Sequence, residues 1–251
     1  MTRKDTQIII LAAGKGKRMK SEEPKALIKL KNKPLIKHIL ETVEKLNLDK
    51  KPIIVVGHKK ELVQDFLGEN YVYATQEEQL GTGHAVRSAK DAVDPSTETI
   101  LVLATDQPLV SIETLGKIID KHKTEKPMIT MATVSIPDFK DWRTGFCNFG
   151  RIIRDTRGKI EKIVESKDAN EIELAVRELN PALYAFDTKW LWDNIEKLKN
   201  NNNQAEYYLT DLIKIAFEQN QKIELVSVDD IIEAVQPNSQ EELEILEKLV
   251  K

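Results

Sequence analysis

The sequence predicts an α/β fold in which helices cover both faces of a mixed, mostly parallel sheet. Short, continuous apolar runs alternate with amphipathic helical patterns through the first half of the chain, and after about residue 126 the pattern changes to strands that include a hairpin. Strands that alternate with helices usually form parallel sheets that are buried on both faces. With 251 residues, the chain is long enough for one such domain with an insertion.

The first half of the chain supplies the alternating elements. Pro34 opens a helical stripe, since proline suits the start of a helix, and Ser111 is placed to cap another. The apolar stripes and runs predict strands at 8–11, 53–56 and 99–104 and helices at 34–46, 83–92 and 111–122.

The second half is richer in predicted strands. Thr156-Arg157-Gly158 separates two apolar runs and indicates a hairpin, and Ser239 with Glu242 has the spacing of a capping box that opens a terminal helix. A helix is expected around Trp190. Strands are predicted at 128–135, 150–154, 159–164, 182–186 and 222–228, and a polar loop at 200–203.

Composition excludes several functional classes. A net charge of −3 argues against a general nucleic-acid binder, and the single cysteine, Cys147, excludes an internal disulfide framework and a multi-cysteine zinc site. No apolar run approaches the ~20 residues of a membrane span, and the first strand begins too early for a signal peptide. We therefore expect a cytoplasmic protein with small-molecule partners and neither nucleic-acid nor membrane partners.

The loop after the first strand has the composition of a phosphate-binding site. Gly14 and Gly16 let the backbone approach phosphate oxygens, and Arg18 and Lys25 supply positive charge. The loop lacks the third glycine of a dinucleotide fingerprint, and no Gly-Lys-Ser/Thr follows, so neither a dinucleotide-binding fold nor a P-loop is predicted. The sequence indicates that a polyphosphate is held here.

Two further motifs are expected at the carboxyl ends of strands, where ligands of open α/β sheets bind. Gln76 and Gln79 offer amides that can read a base edge, and a glycine-rich turn follows them. Asp106, just beyond the strand at 99–104, suits Mg²⁺, which usually takes one or two carboxylates together with substrate phosphates and water. His84 is predicted to be structural, because no nucleophile pairs with it by spacing.

Together these motifs resemble the nucleotide-sugar pyrophosphorylases, and most closely the uridylyltransferase domain of bacterial N-acetylglucosamine-1-phosphate uridylyltransferases. The resemblance implies a Rossmann-like fold with a small β-rich sugar-binding insertion. It divides the domain at 1–251 into a nucleotide-binding half, about 1–126, and a sugar-binding half, about 127–251. No hexapeptide periodicity is present, so we expect no acetyltransferase domain in this sequence. The matching segments are LAAGKGKRM-x4-PK (11–25), QLGTGHA (79–85), ATDQPL (104–109), FGRI (149–152), VESKDA (164–169) and EYYLTD (206–211).

The family pattern also implies specific residue roles and Mg²⁺ as cofactor. The second metal ligand falls at Gln236 or Asn238, and we favour Asn238 for its side-chain type. By position, the resemblance implies catalytic roles for Arg18 and Lys25, nucleotide binding by Leu11, Ala13, Gly14, Gly16, Gln76, Gly81 and Thr82, sugar binding by Gly150, Glu165 and Asn180, and metal binding by Asp106 and Asn238.

The sequence departs from the family pattern near the expected sugar. Ala104-Thr105 stands where relatives have Tyr-Gly, and Asn180-Pro181-Ala182 replaces an Asn-x-Gly pattern. Three hypotheses therefore stand. The first is uridylyl transfer to N-acetylglucosamine 1-phosphate, and the second is uridylyl, thymidylyl or cytidylyl transfer to another sugar or alcohol phosphate. The third is a catalytically idle nucleotide-sensing module, which the presence of Gly14, Arg18, Lys25 and Asp106 disfavours.

Overall fold

The computed structural model describes residues 3–19 and 21–250. The strands are β1 (Thr6–Leu11), β2 (Lys29–Leu30), β3 (Lys33–Pro34), β4 (Ile53–Val56), β5 (Val72–Thr75), β6 (Thr99–Ala104), β7 (Ile129–Ser135), β8 (Gly150–Arg154), β9 (Ile160–Val164), β10 (Glu178–Asn180), β11 (Tyr184–Asp187) and β12 (Ile223–Ser227). The helices are α1 (Leu35–Glu44), α2 (Lys60–Leu67), α3 (Thr82–Ser88), α4 (Ile112–Glu125), α5 (Glu171–Leu174), α6 (Thr188–Asn194), α7 (Asp211–Glu218) and α8 (Gln240–Leu249).

One large mixed sheet organises the fold. Its order is β5-β4-β1-β6-β11-β7-β10-β8-β9, and β12 pairs with β7. β5, β4, β1 and β6 run parallel, β11 runs against them between β6 and β7, and β7 and β12 return to the first direction. β10, β8 and β9 continue the sheet as an antiparallel extension. The predicted sheet with helices on both faces is confirmed.

The central strands are buried on both faces, which explains their continuous apolar sequences. Ile8 and Ile10 of β1 face one hydrophobic cluster with residues of α1 and α4, while Ile9 faces a second cluster with residues of α3, α6 and α7. Successive side chains of a strand point to opposite faces, so a strand between two helical layers is mostly apolar on both faces. No helix in the described ranges is long and apolar enough to cross a membrane.

Most predicted elements form, with shifted ends. The helix predicted at 83–92 divides into α3 and a short 3₁₀ turn, Lys90–Ala92, and the helix predicted at 111–122 continues to Glu125. The strand predicted to begin at Ala182 begins at Tyr184, because Ala182 has a left-handed backbone with φ of +58° that no strand accommodates. As predicted, Ser111 caps α4 by accepting a hydrogen bond from the Thr114 amide.

The predicted capping box at the last helix forms only in part. The Ser239 side chain accepts a hydrogen bond from the Glu242 amide at 3.2 Å, as expected. The Glu242 carboxylate, however, accepts from the amide of Asn238 at 2.7 Å and not from the N-cap residue. A full capping box forms instead between Asn170 and Glu173 at α5. The hydrogen bond between the Asn238 amide and Glu242 matters for the site, because it fixes the backbone of Asn238.

Candidate functional site

The glycine-rich loop folds back on Lys25. The Ala12 amide donates to the Val55 carbonyl at 2.8 Å, which holds the start of the loop against β4. Gly16 has φ of +61°, a conformation that favours glycine, and a Cβ there would lie 3.1 Å from the Cβ of Lys25. The Lys25 amide in turn approaches the Gly14 carbonyl at 3.4 Å. Gly16 therefore allows the loop to turn tightly at the end of β1.

The Lys25 ammonium lies between the two residues predicted to bind metal. Its Nζ is 2.7 Å from Oδ2 of Asp106 and 2.7 Å from Oδ1 of Asn238. The side chains of Lys25 and Asp106 are only 12% and 19% exposed. The other carboxylate oxygen of Asp106, Oδ1, is buried and has no hydrogen-bond partner within the described ranges. The sequence places these three residues more than 80 positions apart in each case, and the fold brings them to one point.

The geometry distinguishes the two candidates for the second metal ligand. Asn238 turns its side-chain oxygen toward Lys25, and its Nδ2 donates to the Gln236 carbonyl at 3.0 Å. Gln236 turns away, and its Nε2 donates to the Pro181 carbonyl at 2.8 Å. The terminal helix that follows packs Leu243 and Leu246 against Met19 and Leu30, beside the glycine-rich loop. This arrangement favours Asn238.

The oxygens of Asp106 and Asn238 suit a hard divalent cation. They already surround one positive charge, and the buried Oδ1 of Asp106 offers an unused acceptor. Among the residues that the structure describes, no group of three or more His, Cys, Asp or Glu side chains could hold a metal. An ion held here would complete its shell with water and phosphate oxygens, a coordination that Mg²⁺ prefers.

The base-side motif is a turn pinned by a distant segment. Gln76, at the end of β5, is buried, and its Nε2 donates to the Gly81 carbonyl at 3.0 Å and lies 3.0 Å from Nδ1 of His84. Gly81 has φ of +105°, and a Cβ there would lie 2.7 Å from the Tyr207 carbonyl. The Leu209 amide donates to the Thr82 hydroxyl at 3.0 Å. Segment 206–211 therefore holds the turn in place.

His84 supports this turn through its ring, which faces the Gln76 amide. Its Nδ1 faces the donor Nε2 of Gln76, so it acts as an acceptor and the proton lies on the other ring nitrogen. Burial, followed by the nearby Arg87 charge, lowers the pKa of His84 below its ordinary value of 6.5 and favours the neutral ring. This geometry agrees with the structural role predicted for it.

Most of the predicted nucleotide-side residues line one cleft of about 450 Å³ at the carboxyl ends of β1, β5 and β6. Ala104, Thr105 and Glu206 also line it. Arg18 is exposed on the turn Lys17–Met19 and is not among the lining residues. The predicted residues in the lining are Leu11, Ala13, Gly14, Gly16, Lys25, Gln76, Gly81, Thr82 and Asp106.

The three residues predicted to bind the sugar form a second group. Asn180 of β10 pairs with Gly150 of β8 across an antiparallel ladder. A Cβ on Gly150 would lie 2.7 Å from Ile163 and 3.5 Å from the Glu165 carboxylate. Of the three, Glu165 lines a separate cleft of about 720 Å³ on the other side of segment 206–211. The structure thus gathers these residues but does not place them among those lining the nucleotide-side cleft.

Glu165 is a half-buried carboxylate with one hydroxyl partner. Its Oε1 accepts a hydrogen bond from the Thr210 hydroxyl at 3.1 Å. Burial raises the pKa of Glu165 above its ordinary value of 4.5, and the nearby carboxylates of Asp211 and Asp168 raise it further. Sequence reasoning missed Thr210 as a contact. The EYYLTD segment contains it, but no spacing in the sequence connects it to Glu165.

A glycine-rich loop beside a cleft, with two side-chain oxygens around one positive charge at the carboxyl edge of an α/β sheet, is the arrangement expected of a nucleotidyltransferase. Comparison with known proteins agrees. Residues 8–210 match the model of the MobA-like NTP transferase domain, and the chain belongs to this family. The family resemblance predicted from the motifs is confirmed.

Curated relatives include proteins described as bifunctional protein GlmU. That of Desulfotalea psychrophila is 38% identical over 237 residues, which cover 94% of this chain and 68% of the relative. That of Clostridioides difficile is 40% identical over 243 residues, which cover 97% of this chain and 51% of the relative. That of Exiguobacterium sp. is 42% identical over 210 residues, which cover 84% of this chain and 45% of the relative. The chain thus spans about half the length of most of these relatives.

Solved structures share the fold at low sequence identity. A UDP-glucose pyrophosphorylase complexed with UDP-glucose matches with a TM-score of 0.75 and 15% identity, covering 99% of this chain and 100% of that one. An apo UDP-glucose pyrophosphorylase matches with a TM-score of 0.78 and 14% identity, covering 99% of this chain and 98% of that one. At such identities the likeness establishes the Rossmann-like fold.

Proposed function

We propose that this chain transfers a uridylyl group from UTP to N-acetylglucosamine 1-phosphate, forming the nucleotide-sugar and releasing pyrophosphate. The observation that carries the proposal is the meeting of Lys25, Asp106 and Asn238 beside the cleft of the glycine-rich loop. Membership of the NTP transferase family supports the reaction class. The motif resemblance supports the choice of base and sugar.

The reaction is a displacement at the α-phosphorus. A phosphate oxygen of the sugar 1-phosphate forms a new bond to this phosphorus, and the bond from it to the bridging oxygen of the β-phosphate breaks. Pyrophosphate leaves with that electron pair. The attacking phosphate is already ionised, so no protein base or nucleophile is needed. Catalysis then depends on positioning and on stabilisation of negative charge.

In this proposal the chain's own residues bind and orient the reactants. Gly14 and Gly16 bring the backbone to the phosphates, and Lys25 neutralises their charge from beside the cleft. Arg18, which is exposed, would turn toward the phosphates when they bind. Asp106 and Asn238 would hold Mg²⁺, which when bound neutralises phosphate charge and orients the leaving group.

The base and the sugar would occupy opposite ends of the site. Because the Nε2 of Gln76 is engaged by the Gly81 carbonyl and faces His84, its Oε1 is left to accept from a base N–H, which uracil has. Gly150, Glu165 and Asn180 would contact the sugar. We infer the same division along the chain, with residues 1–126 forming the nucleotide half and residues 127–251 the sugar half of one domain.

The test is a matrix of four nucleoside triphosphates against several sugar 1-phosphates, with pyrophosphate release as readout and Mg²⁺ omitted in a parallel series. We expect activity with UTP and N-acetylglucosamine 1-phosphate that requires the metal. Asp106→Ala should lower turnover by about 10²–10³, whereas Asp229→Ala, which removes an exposed carboxylate paired with Lys117, should not. Pyrophosphate from no pair would refute the proposal and leave a nucleotide-binding module.

One observation favours a different sugar as the second candidate. Ala104 presents only a methyl group to the cleft where the family pattern has a tyrosine ring, and Ala182 replaces a glycine beside Asn180. The space and contacts offered to the sugar therefore differ from those of the family pattern. Activity confined to glucose 1-phosphate or another sugar phosphate would select this candidate and leave the reaction class intact.

A further inference from the structure

Departures from the family pattern, distant in sequence, meet at one backbone carbonyl. Gln236 lies in segment 234–238, where the family pattern has a Gly-Val-Asn motif whose asparagine binds the metal, and Pro181 lies in the segment that replaces Asn-x-Gly. The Nε2 of Gln236 donates to the Pro181 carbonyl at 2.8 Å. The Nε2 of Gln107 donates to the same oxygen. A carbonyl oxygen has two lone pairs, so these two amides saturate it.

Each participant is next to a proposed site residue. Gln107 directly follows Asp106, Gln236 precedes Asn238 by two positions, and Pro181 directly follows Asn180. The carbonyl of Pro181 therefore links the two proposed metal ligands to Asn180, one of the residues proposed to bind the sugar. We call the Gln107–Pro181–Gln236 arrangement the amide clamp.

The burial of the Gln107 side chain has a free-energy cost that packing alone does not explain. Its side chain is fully buried, and its Oε1 has no hydrogen-bond partner within the described ranges. Burying an amide with an unused acceptor is unfavourable, and an apolar side chain of similar size would avoid the cost. The contact that Gln107 gains in exchange is the one to Pro181.

The clamp also holds a strained residue. Ala182 has φ of +58°, which an alanine adopts reluctantly and a glycine readily. Its amide donates to Oδ1 of Asn180 at 3.0 Å, so the strained turn fixes the Asn180 side chain. The clamp on the preceding carbonyl opposes rotation of this turn into an unstrained conformation. A family member with glycine at this position would need no such restraint.

We propose that Gln107 and Gln236 are positioning residues that fix Asn180 relative to Asp106 and Asn238, and so set how the sugar 1-phosphate is held for attack. This inference rests on the proposed function. Neither glutamine lines the nucleotide-side cleft. Loss of either amide should therefore affect the sugar phosphate and not the nucleotide.

The experiment measures KM separately for the sugar 1-phosphate and the nucleoside triphosphate in Gln107→Leu and Gln236→Leu. We expect KM for the sugar phosphate to rise by about fivefold to tenfold, the size of one buried hydrogen bond, and KM for the nucleotide to stay within about twofold. Ala182→Gly in the Gln236→Leu background should lower the raised KM again, because glycine relieves the strain.

Gln7→Leu is the matched control. Gln7 is a buried glutamine whose Nε2 also donates to a backbone carbonyl, that of Lys51, at 3.0 Å, but it lies at the opposite end of β1. Gln7→Leu should lower the melting temperature without raising KM for the sugar phosphate. An unchanged sugar KM in both clamp variants, or equal rises for both substrates, would overturn the inference while the wild type stays active. A wild type that releases no pyrophosphate from any pair would instead overturn the proposed function and this inference with it.

Discussion

The Lys25 ammonium occupies the position between Asp106 and Asn238 where we propose that Mg²⁺ is held. Replacing Lys25 with methionine keeps most of the apolar stem and removes the charge. Two effects of opposite direction are expected. The substrate-free protein should bind a divalent cation more tightly, because a repelling charge is gone, and turnover should fall, because a phosphate-neutralising charge is gone.

The distances in the structure set the magnitude of the first effect. Nζ lies 2.7 Å from an oxygen of each proposed ligand. A Mg²⁺ ion about 2.1 Å from either oxygen would lie within about 4.8 Å of Nζ if the lysine did not move. At that distance a single and a double positive charge repel by about 2 kcal/mol even with the dielectric constant of water. We therefore expect at least about tenfold tighter metal binding in Lys25→Met.

Binding of Mn²⁺ to the substrate-free protein, followed by electron paramagnetic resonance, measures this affinity without turnover. Turnover of the same variant should fall by about 10²–10³. Lys50→Met is the control for a lost lysine–aspartate pair, since Lys50 also lies 2.7 Å from an aspartate, Asp94, outside the cleft. Metal affinity that is unchanged or weaker in Lys25→Met, relative to Lys50→Met, would refute the reasoning.

Three further outcomes are expected. Gly81→Ala should destabilise the protein by about 3 kcal/mol in urea unfolding, because its Cβ would lie 2.7 Å from the Tyr207 carbonyl, whereas Gly68→Ala, at φ of +73° in open space, should cost about 1 kcal/mol. Burial lowers the pKa of His122 to about 4 from 6.5. As pH falls from 6.5 to about 4, the unfolded chain therefore binds a proton at this residue while the folded protein does not. The wild type should therefore lose up to about 3 kcal/mol of folding stability across that window relative to His122→Gln. Burial raises the pKa of Glu165 above 4.5, so its contribution to folding stability is lost as pH rises through the raised value. Melting temperatures should show Glu165→Gln gaining on the wild type as pH rises above 4.5, and a difference that does not change with pH would contradict this.

Most of the alternating half of the fold, though not α2 and β5, could be predicted from sequence because its signals are local. β1, β4 and β6 contain continuous apolar runs at 8–11, 53–56 and 100–104, since helices cover both faces, and the stripe of α1 follows one buried face. β10 escaped prediction. It has three residues, and its pairing with β7 and β8 depends on residues more than 25 positions away in the chain. Short strands of this kind are specified by tertiary contacts more than by their own sequence.

The distinction between local sequence signals and tertiary contacts also applies to the site. The glycine-rich loop and Asp106 follow predicted strands, so their convergence follows from the rule that ligands bind at the carboxyl edge of such a sheet. The contact of Thr210 with Glu165 and that of Gln107 with Pro181 join residues 45 and 74 positions apart. No periodicity relates such positions, and only the folded topology brings them together.

The direction of β11 explains why the proposed sugar half meets the proposed nucleotide half at this edge. In a parallel sheet the residues that follow each strand share the ligand-binding edge, as those after β1 and β6 do here. β11 runs antiparallel beside β6, with Tyr184 opposite Val102, so the residues that precede β11 lie beside those that follow β6. Pro181 therefore reaches Gln107 from the segment that precedes β11, while Gln107 lies in the segment that follows β6. An apolar run such as that of β11 carries no sign of its direction, so the sequence alone could place Asn180 here only through resemblance to a family.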